Sequence, residues 1–332
     1  MKRVTRMIPA LLALVVATAC AAEIAPIPQG QAMAAPQTQA AVPVAATTTP
    51  AATPAAAAKA PRKVKLEIAD ITPMGEKTEK VGVGFPIIVT FDRDVKTKDR
   101  ATVEALLQVE SDKPNEGAWR WVSARKVIYR TKAYWKPYQK VLFTARLSEL
   151  PGNTGGKDVS RRFAVGAQNI SLVDTKKHVM KVYRNGKLAK KIPISAGRGG
   201  LMRGGVDVYL TTSGTHLTMG KKSVETMTSS WMGVTDPKDP RYYKEEIPWA
   251  VRISDSGEYV HQSAGYYQYL GRSNQSHGCV RATPAGAKWF YNLAQRGDVV
   301  KITGTKRKLQ WNNGWSYWQL SYSQWKKGSA LS

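Results

Sequence analysis

A lone cysteine beside a glycine, in Ser276-His277-Gly278-Cys279-Val280-Arg281, lies eighteen positions after His261 in a chain with only four histidines. A thiol is a strong nucleophile only as the thiolate, so a neighbour must hold its pKa down or take its proton. His277 is in the same loop, and His261 ends an apolar-alternating run, Tyr259-Val260-His261, that predicts a strand. A strand and the loop after it can bring imidazole and sulfur together, the minimal pair for acyl transfer through a thioester. Gly278 allows close backbone approach, so N–H groups around Gly278 and Cys279 can point at a developing oxyanion. A helix predicted from Thr283-Pro284 would add positive potential nearby. Zinc is the competing use of these residues, with His216 as a further ligand. The spacing lacks the paired short intervals of structural sites, and no acid is read beside the cluster.

The N-terminus sets the compartment in which that thiol must survive. Lys2, Arg3 and Arg6 precede an apolar run from Ile8 to Val16 and the small residues Ala17-Thr18-Ala19-Cys20. The run is too short for a spanning helix of roughly 20 residues and predicts a secretory signal over residues 1–21. Cys20 after Ala-Thr-Ala resembles a lipobox, which implies a diacylated Cys20 as the new N-terminus; cleavage after Ala19 or Ala21 is the other exit. Either way Cys20 is poorly placed to pair with Cys279, which leaves one free thiol in an exported protein. The expected location is the outer face of the cytoplasmic membrane and the cell wall, with contact to the membrane through the lipid.

The 332 residues have room for two domains and tails, and an apolar content of 42% is that of a globular chain. Fifty lysines and arginines against 24 acids give a net charge of +26, which suits work against a polyanion. No nucleic-acid motif is present, so anionic wall polymers are the partner this charge suggests. Residues 22–61 are alanine, proline, threonine and glutamine without aromatics, a linker that cannot bury enough surface to order itself. Residues 62–166 show short strands, such as Val64–Ile68, Pro86–Phe91, Arg125–Tyr129 and Lys140–Ala145, with a helical pattern only at Asp99–Leu107. This spacing predicts a small β-sandwich, with Trp119, Trp121 and Trp135 in its core. Residues 167–305 are mostly β. Asn185-Gly186 predicts a type I′ hairpin, Gly214–Gly220 a strand, and Thr283 a helix cap followed by Ala287, Phe290, Tyr291 and Ala294 at helical spacing, stopped by Gly297. Residues 306–332 form a tail with Trp311, Trp315, Trp318 and Trp325, which is expected to fold back over another domain.

The cysteine motif with His261 before it resembles the L,D-transpeptidase (YkuD-like) catalytic domain. Gly214–Gly220 is similar to that family's Gly-Thr strand, and Ala287–Val300 to its helix and strand after the cysteine. Phe91-Asp92-Arg93-Asp94-Val95 resembles the strand end of bacterial immunoglobulin-like domains, and the whole layout is similar to the actinobacterial branch. The resemblance implies a mainly β fold and a peptidoglycan substrate. Cys279 as thiolate attacks the carbonyl on the L-centre of the third residue of a tetrapeptide stem, D-alanine leaves, and an amine of a second stem resolves the thioester. It further implies His261 as general base, the Gln262 carbonyl orienting it, and Ser276, His277 and Gly278 shaping the loop and oxyanion hole. Met227 and Tyr243 fall where the family's substrate-flap contacts lie, with Ser256 and Gly257 near the donor stem. Relatives of this layout often carry asparagine at the position of Arg281, whose guanidinium could hold a stem carboxylate. Carbapenems are implied as covalent inhibitors.

Hydrolysis of the same thioester, transfer to a protein amine, and a non-catalytic wall-binding module are the alternative functions. Gly197-Arg198-Gly199-Gly200 lacks a P-loop lysine, and Gly82-Val83-Gly84 sits among strand residues, so no cofactor is expected.

Overall fold

The structure is a computed structural model that describes residues 65–73 and 79–332. The expected signal segment, Cys20 and the linker lie outside the described residues. Among the described residues no helix is long and apolar enough to cross a membrane.

The first half is a sandwich of two four-stranded sheets. Its strands are β1 (Ile68–Thr72), β2 (Lys80–Val81), β3 (Ile87–Phe91) and β4 (Leu107–Ser111), then β5 (Gly117–Trp121), β6 (Lys126–Thr131), β7 (Lys140–Ala145) and β8 (Val159–Val165). One sheet runs β1-β3-β6-β5 and the other β2-β8-β7-β4. The short helix α1 (Arg100–Ala105) falls inside the predicted helical pattern. The first strand begins at Ile68, later than the Val64–Ile68 expected; Leu66 is instead held by Asn153, whose side chain bonds both its N–H and its carbonyl. Trp119, Trp121 and Trp135 are buried between the sheets, each removing roughly 150–250 Å² from water. Their indole N–H groups donate to Leu107 O, Glu104 Oε2 and Phe85 O, so none is buried unpaired.

The second half is built on a nine-stranded sheet. Its strands begin with β9 (Asn169–Asp174), β10 (Val179–Arg184) and β11 (Lys187–Ser195); β12 (Met202–Arg203) and β13 (Val206–Asp207) form a separate ribbon. Then come β14 (Gly214–Leu217), β15 (Gly220–Thr228), β16 (Lys244–Arg252), β17 (Tyr259–Gln262), β18 (Val280–Ala282) and β19 (Val299–Thr303). The order is β14-β19-β9-β10-β11-β18-β17-β16-β15. Asn185 and Gly186 both have positive φ, 51° and 79°, as a type I′ turn between β10 and β11 requires. The predicted Gly214–Gly220 strand breaks after Leu217. Thr218 and Met219 donate to Asp298 O and Arg252 O, so the chain leaves the β19 edge there and starts a new strand beside β16.

Helix α2 (Pro284–Leu293) starts as predicted: Thr283 Oγ1 accepts the Gly286 N–H, and Pro284 occupies the first turn. It buries Ala287 and Phe290 against Ile192, Val260 and Val280. It ends at Leu293, where Ala294 turns extended, rather than at Gly297. Gly297, at φ +88°, belongs to the domain junction: a Cβ there would meet Phe85 Cβ at 2.6 Å.

Gly82-Val83-Gly84 turns out to be the other side of that junction. The N–H groups of Gly82 and Gly84 donate to Arg296 O at 2.7 Å and Gly297 O at 3.0 Å, and Arg296 pairs with Glu79 at 2.8 Å. A Cβ on Gly82 would lie 2.2 Å from the Asp298 N, a backbone atom that cannot swing away. Gly82→Ala is therefore expected to destabilise the protein by about 1–3 kcal/mol through overpacking. Thermal unfolding checks this, and an unchanged midpoint would show that the two halves are not held through these backbones.

The tail folds back over the sandwich. Within α3 (Tyr322–Lys326), Trp325 is fully buried and its indole N–H donates to Ala118 O. Arg120 and Arg130 lie over the Trp311, Trp318 and Trp325 rings and donate to tail carbonyls. The tail tryptophans are spent on packing and cation–π contacts, not on an open stacking surface.

Candidate active site

Strand register puts the predicted pair on one face of the sheet. β17 and β18 run parallel, with Val260 opposite Val280 and His261 opposite Arg281. Side chains alternate along a strand, so Cys279, just before β18, projects to the same face as Arg281 and His261. Cys279 and His261 line one cavity. His261 Nδ1 donates to its neighbour's carbonyl, Gln262 O, at 2.6 Å. That bond fixes the proton on Nδ1 and leaves Nε2 as the basic nitrogen.

The loop before Cys279 is closed by one hydroxyl. Ser276 is buried; its Oγ donates to Cys279 O at 2.6 Å and accepts the Gly278 N–H at 3.1 Å. Ser276 N–H donates to Ala196 O and Ser276 O accepts from Arg198 N–H, which ties the loop to the end of β11. Thr211 Oγ1, which sequence reasoning missed, donates to Gly278 O at 2.6 Å. Gly278 has a φ of +137°, a conformation that favours glycine, and a Cβ there would meet no atom of the protein within 4 Å. The Gly278 N–H is taken by Ser276, while the N–H groups of His277 and Cys279 have no partner among the described residues. The α2 N-terminus, expected to lend positive potential, packs Gly286 on Ile192 and gives that amide to Thr283.

Desolvation pushes the Cys279 thiol up to about 12; the Tyr259 backbone lowers it, Glu258 raises it, and Arg281 lowers it. Burial likewise lowers His261 to about 4, with Arg281 acting in the same direction against the Gln262 bond. Both groups are thus neutral near pH 7, and the thiol points to Gly257 O at 3.7 Å. Of the two routes to a reactive sulfur, a neutral pair suits the one in which the proton is taken during attack.

His277 is packed among aromatic rings. Its ring lies between Tyr209 and Tyr243, at centroid distances of 4.6 and 5.4 Å, and burial with Arg198 and Arg281 lowers it to about 4. Two cavities meet at Cys279, and Met227, Tyr243 and His277 line both. Ser256 and Gly257 line the smaller, of about 700 Å³. Arg198, Arg281 and Tyr266 line the larger, of about 1220 Å³, and the Arg281 guanidinium lies over the Tyr266 ring. Met227 is on β15, and the Tyr243 hydroxyl accepts the Trp231 indole N–H at 2.6 Å. Met227, Tyr243, Ser256, Gly257, His261, Ser276, His277, Gly278 and Arg281 thus line one or both of the cavities that meet at Cys279.

An acid does stand beside the cluster. Glu258 is three residues before His261 and is buried, its carboxylate accepting from Thr212 N–H at 2.7 Å and Thr212 Oγ1 at 2.6 Å. Burial opposes its charge, but the bonds to His216 and Thr212 hold its carboxyl below the usual range. His216 is used here, 3.4 Å from Glu258, and no group of three His, Cys, Asp or Glu is placed to hold a metal among the described residues. The tail holds the same loop: Asn313 bonds Ser256 through both its amide atoms, at 3.0 and 2.9 Å. Because the Glu258 charge raises the Cys279 pKa, Glu258→Gln should lower it and speed maleimide labelling at pH 7 by about two- to tenfold. A pH series of labelling rates reads this, and a slower or unchanged rate would count against the charge as a cause.

Both halves of the chain are similar to known proteins. A family model for the bacterial Ig domain matches residues 41–151, and one for the L,D-transpeptidase catalytic domain matches residues 168–302. L,D-transpeptidase 2 of Mycobacterium tuberculosis is 31% identical over 258 residues, which cover 76% of this chain and 60% of that protein. L,D-transpeptidase 5 of the same species is 29% identical over 262 residues, covering 76% and 54%. The chain thus spans less than two thirds of the length of either relative. A solved L,D-transpeptidase in complex with imipenem is similar with a TM-score of 0.59 at 26% identity, over 71% of this chain and 99% of that one. An L,D-transpeptidase from Mycobacterium smegmatis gives 0.57 at 26% identity, over 73% and 100%.

Proposed function

Because residues 168–302 belong to the L,D-transpeptidase catalytic-domain family and follow a bacterial immunoglobulin-like domain, we propose that this chain is a peptidoglycan L,D-transpeptidase with Cys279 as nucleophile. The observation that carries the reading is the parallel register that sets a neutral, Gln262-oriented His261 on the same face as a free Cys279. His261 Nε2 takes the Sγ proton as sulfur attacks the L-centre carbonyl of the third stem residue. The His277 and Cys279 N–H groups receive the oxyanion. Collapse breaks the amide bond, the imidazolium gives its proton to the departing D-alanine amine, and a thioester remains. The amine of a second stem attacks that thioester, loses its proton to His261 and restores the thiol.

Two cavities meeting at one sulfur suit two stems, one acylating Cys279 and one approaching to resolve it. Arg281 and Arg198, at the larger opening, suit the carboxylates of a stem. By the same chemistry a carbapenem acylates Cys279. The site acts outside the cytoplasm, tethered by a lipid on Cys20. Incubating the purified chain with disaccharide-tetrapeptides and weighing the products tests the reaction. Dimers lacking one D-alanine are expected; tripeptides alone would make it a carboxypeptidase, and unchanged substrate would sink the proposal.

A further inference from the structure

The face of the nine-stranded sheet that carries His261 and Arg281 continues across β11, β10, β9 and β19 with residues that take no part in this chemistry. Val173, Met180, Val182, Ile192, Val300 and Ile302 point inward to the core with α2. The residues between them on β19, β9, β10 and β11 therefore face outward. Register sets Lys301 opposite Leu172, Leu172 opposite Lys181, and Lys181 opposite Lys191. All four side chains are exposed, in one row across four strands spaced roughly 4.8 Å apart. The same face continues along β10 to Tyr183, opposite Leu188. From Asn169 to Ser195 the chain has seven lysines and arginines and one acid, Asp174, which sits 3.9 Å from Lys177 and outside the row.

Like charges directly opposite one another on a sheet destabilise it. Lys181 beside Lys191 is such a pair, with Lys301 beyond Leu172, and the row has no carboxylate of its own. Leu172 is 40% exposed and Leu188 54% exposed within this cationic field. A soluble polyanion could neutralise the lysines but offers nothing to the leucines. The boundary between anionic headgroups and acyl chains takes both. We propose that this face docks the protein on an anionic lipid bilayer, with the lysines on phosphate headgroups and Leu172 and Leu188 at the acyl boundary. The inference is independent of the reaction assigned above, since the row includes no residue of the active site.

The test is sedimentation of the full chain, carrying Cys20→Ser so that no acyl group contributes, with vesicles. Vesicles of phosphatidylglycerol mixed with phosphatidylcholine should bind the protein, pure phosphatidylcholine should not, and salt should release it. Replacing Lys181, Lys191 and Lys301 together by glutamine should weaken binding roughly a hundredfold, at about fivefold per lysine. Replacing Lys96, Lys98 and Lys157 by glutamine removes the same charge from the sandwich and should cost far less; an equal loss would overturn the proposal in favour of diffuse attraction. Leu172→Gln should weaken vesicle binding and leave binding to soluble polyphosphate unchanged. If Leu172→Gln has no effect on vesicles, or polyphosphate binds as tightly as they do, the bilayer is the wrong partner. Thiol labelling of Cys279 and thermal unfolding confirm that each variant is folded, and cross-linking of soluble stems should be unaltered in all of them.

Discussion

Cys279→Ala is expected to end D-alanine release, with turnover falling by on the order of 10⁵–10⁶ and no stable mass increase after exposure to imipenem. Sγ is the one atom of the site able to carry the acyl group, and it is the free thiol of the described residues. The loop is held by Ser276 and Thr211 rather than by the sulfur, so the alanine variant should fold and unfold much as the parent does. Intact-mass measurement after incubation with imipenem, and with tetrapeptide donors, reads the result. An acylated or active alanine variant would remove the nucleophile from this account, and a wall-binding module with an inert β domain would become the better description.

His261→Gln should slow acylation of Cys279 by about 10²–10⁴, the range for loss of a positioned base, and should change the shape of its pH dependence. With His261 lowered to about 4, its Nε2 is unprotonated and able to accept a proton at every pH above that value. With Cys279 raised to about 12, the sulfur keeps its proton over the same range. The parent rate should therefore be flat across neutral pH and fall as pH drops through about 4, where the imidazole charges. Without the base, only the pre-formed thiolate can attack, so the variant's rate should climb tenfold per pH unit well below the thiol pKa. Acylation rates by imipenem across a pH series distinguish the two. A parent profile with two inflections near neutrality would mean a resting thiolate–imidazolium pair, and the proton-transfer step would have to be rewritten.

The structure explains why some of the site was legible and some was not. Motifs that act within a few residues could be read directly. Asn185-Gly186 demands positive φ at both positions, Thr283-Pro284 caps a helix, and Ser276 closes a loop onto Cys279 three residues away. Thr211, Glu258, Tyr209 and Arg198 carried no such signal. Each reaches the site through contacts across 20 to 80 residues of chain, such as Thr211 to Gly278 and Thr212 to Glu258. Glu258 is only three residues from His261, but its partners, Thr212 and His216, are more than 40 residues away in the chain. Gly82-Val83-Gly84 looked like an unremarkable strand fragment until Asp298 and Gly297 were placed against it.

Residue type and order pointed to a mainly β scaffold and to Cys279 with His261 as a pair, but thiol and imidazole chemistry alone left zinc open, and their roles came from the motif's resemblance to the L,D-transpeptidase family. Residue order also determined that four tail tryptophans would seek cover. Only the tertiary structure decided the charge on that thiol and imidazole. Ionisation depends on how much water the surrounding protein excludes, and exclusion around Cys279 and His261 is made by strands and loops distant in the chain. It also decided which backbone N–H groups remain free for an oxyanion and that Lys301, Lys181 and Lys191 form one row. Both follow from hydrogen-bond register, which a linear sequence leaves open until the strands have paired.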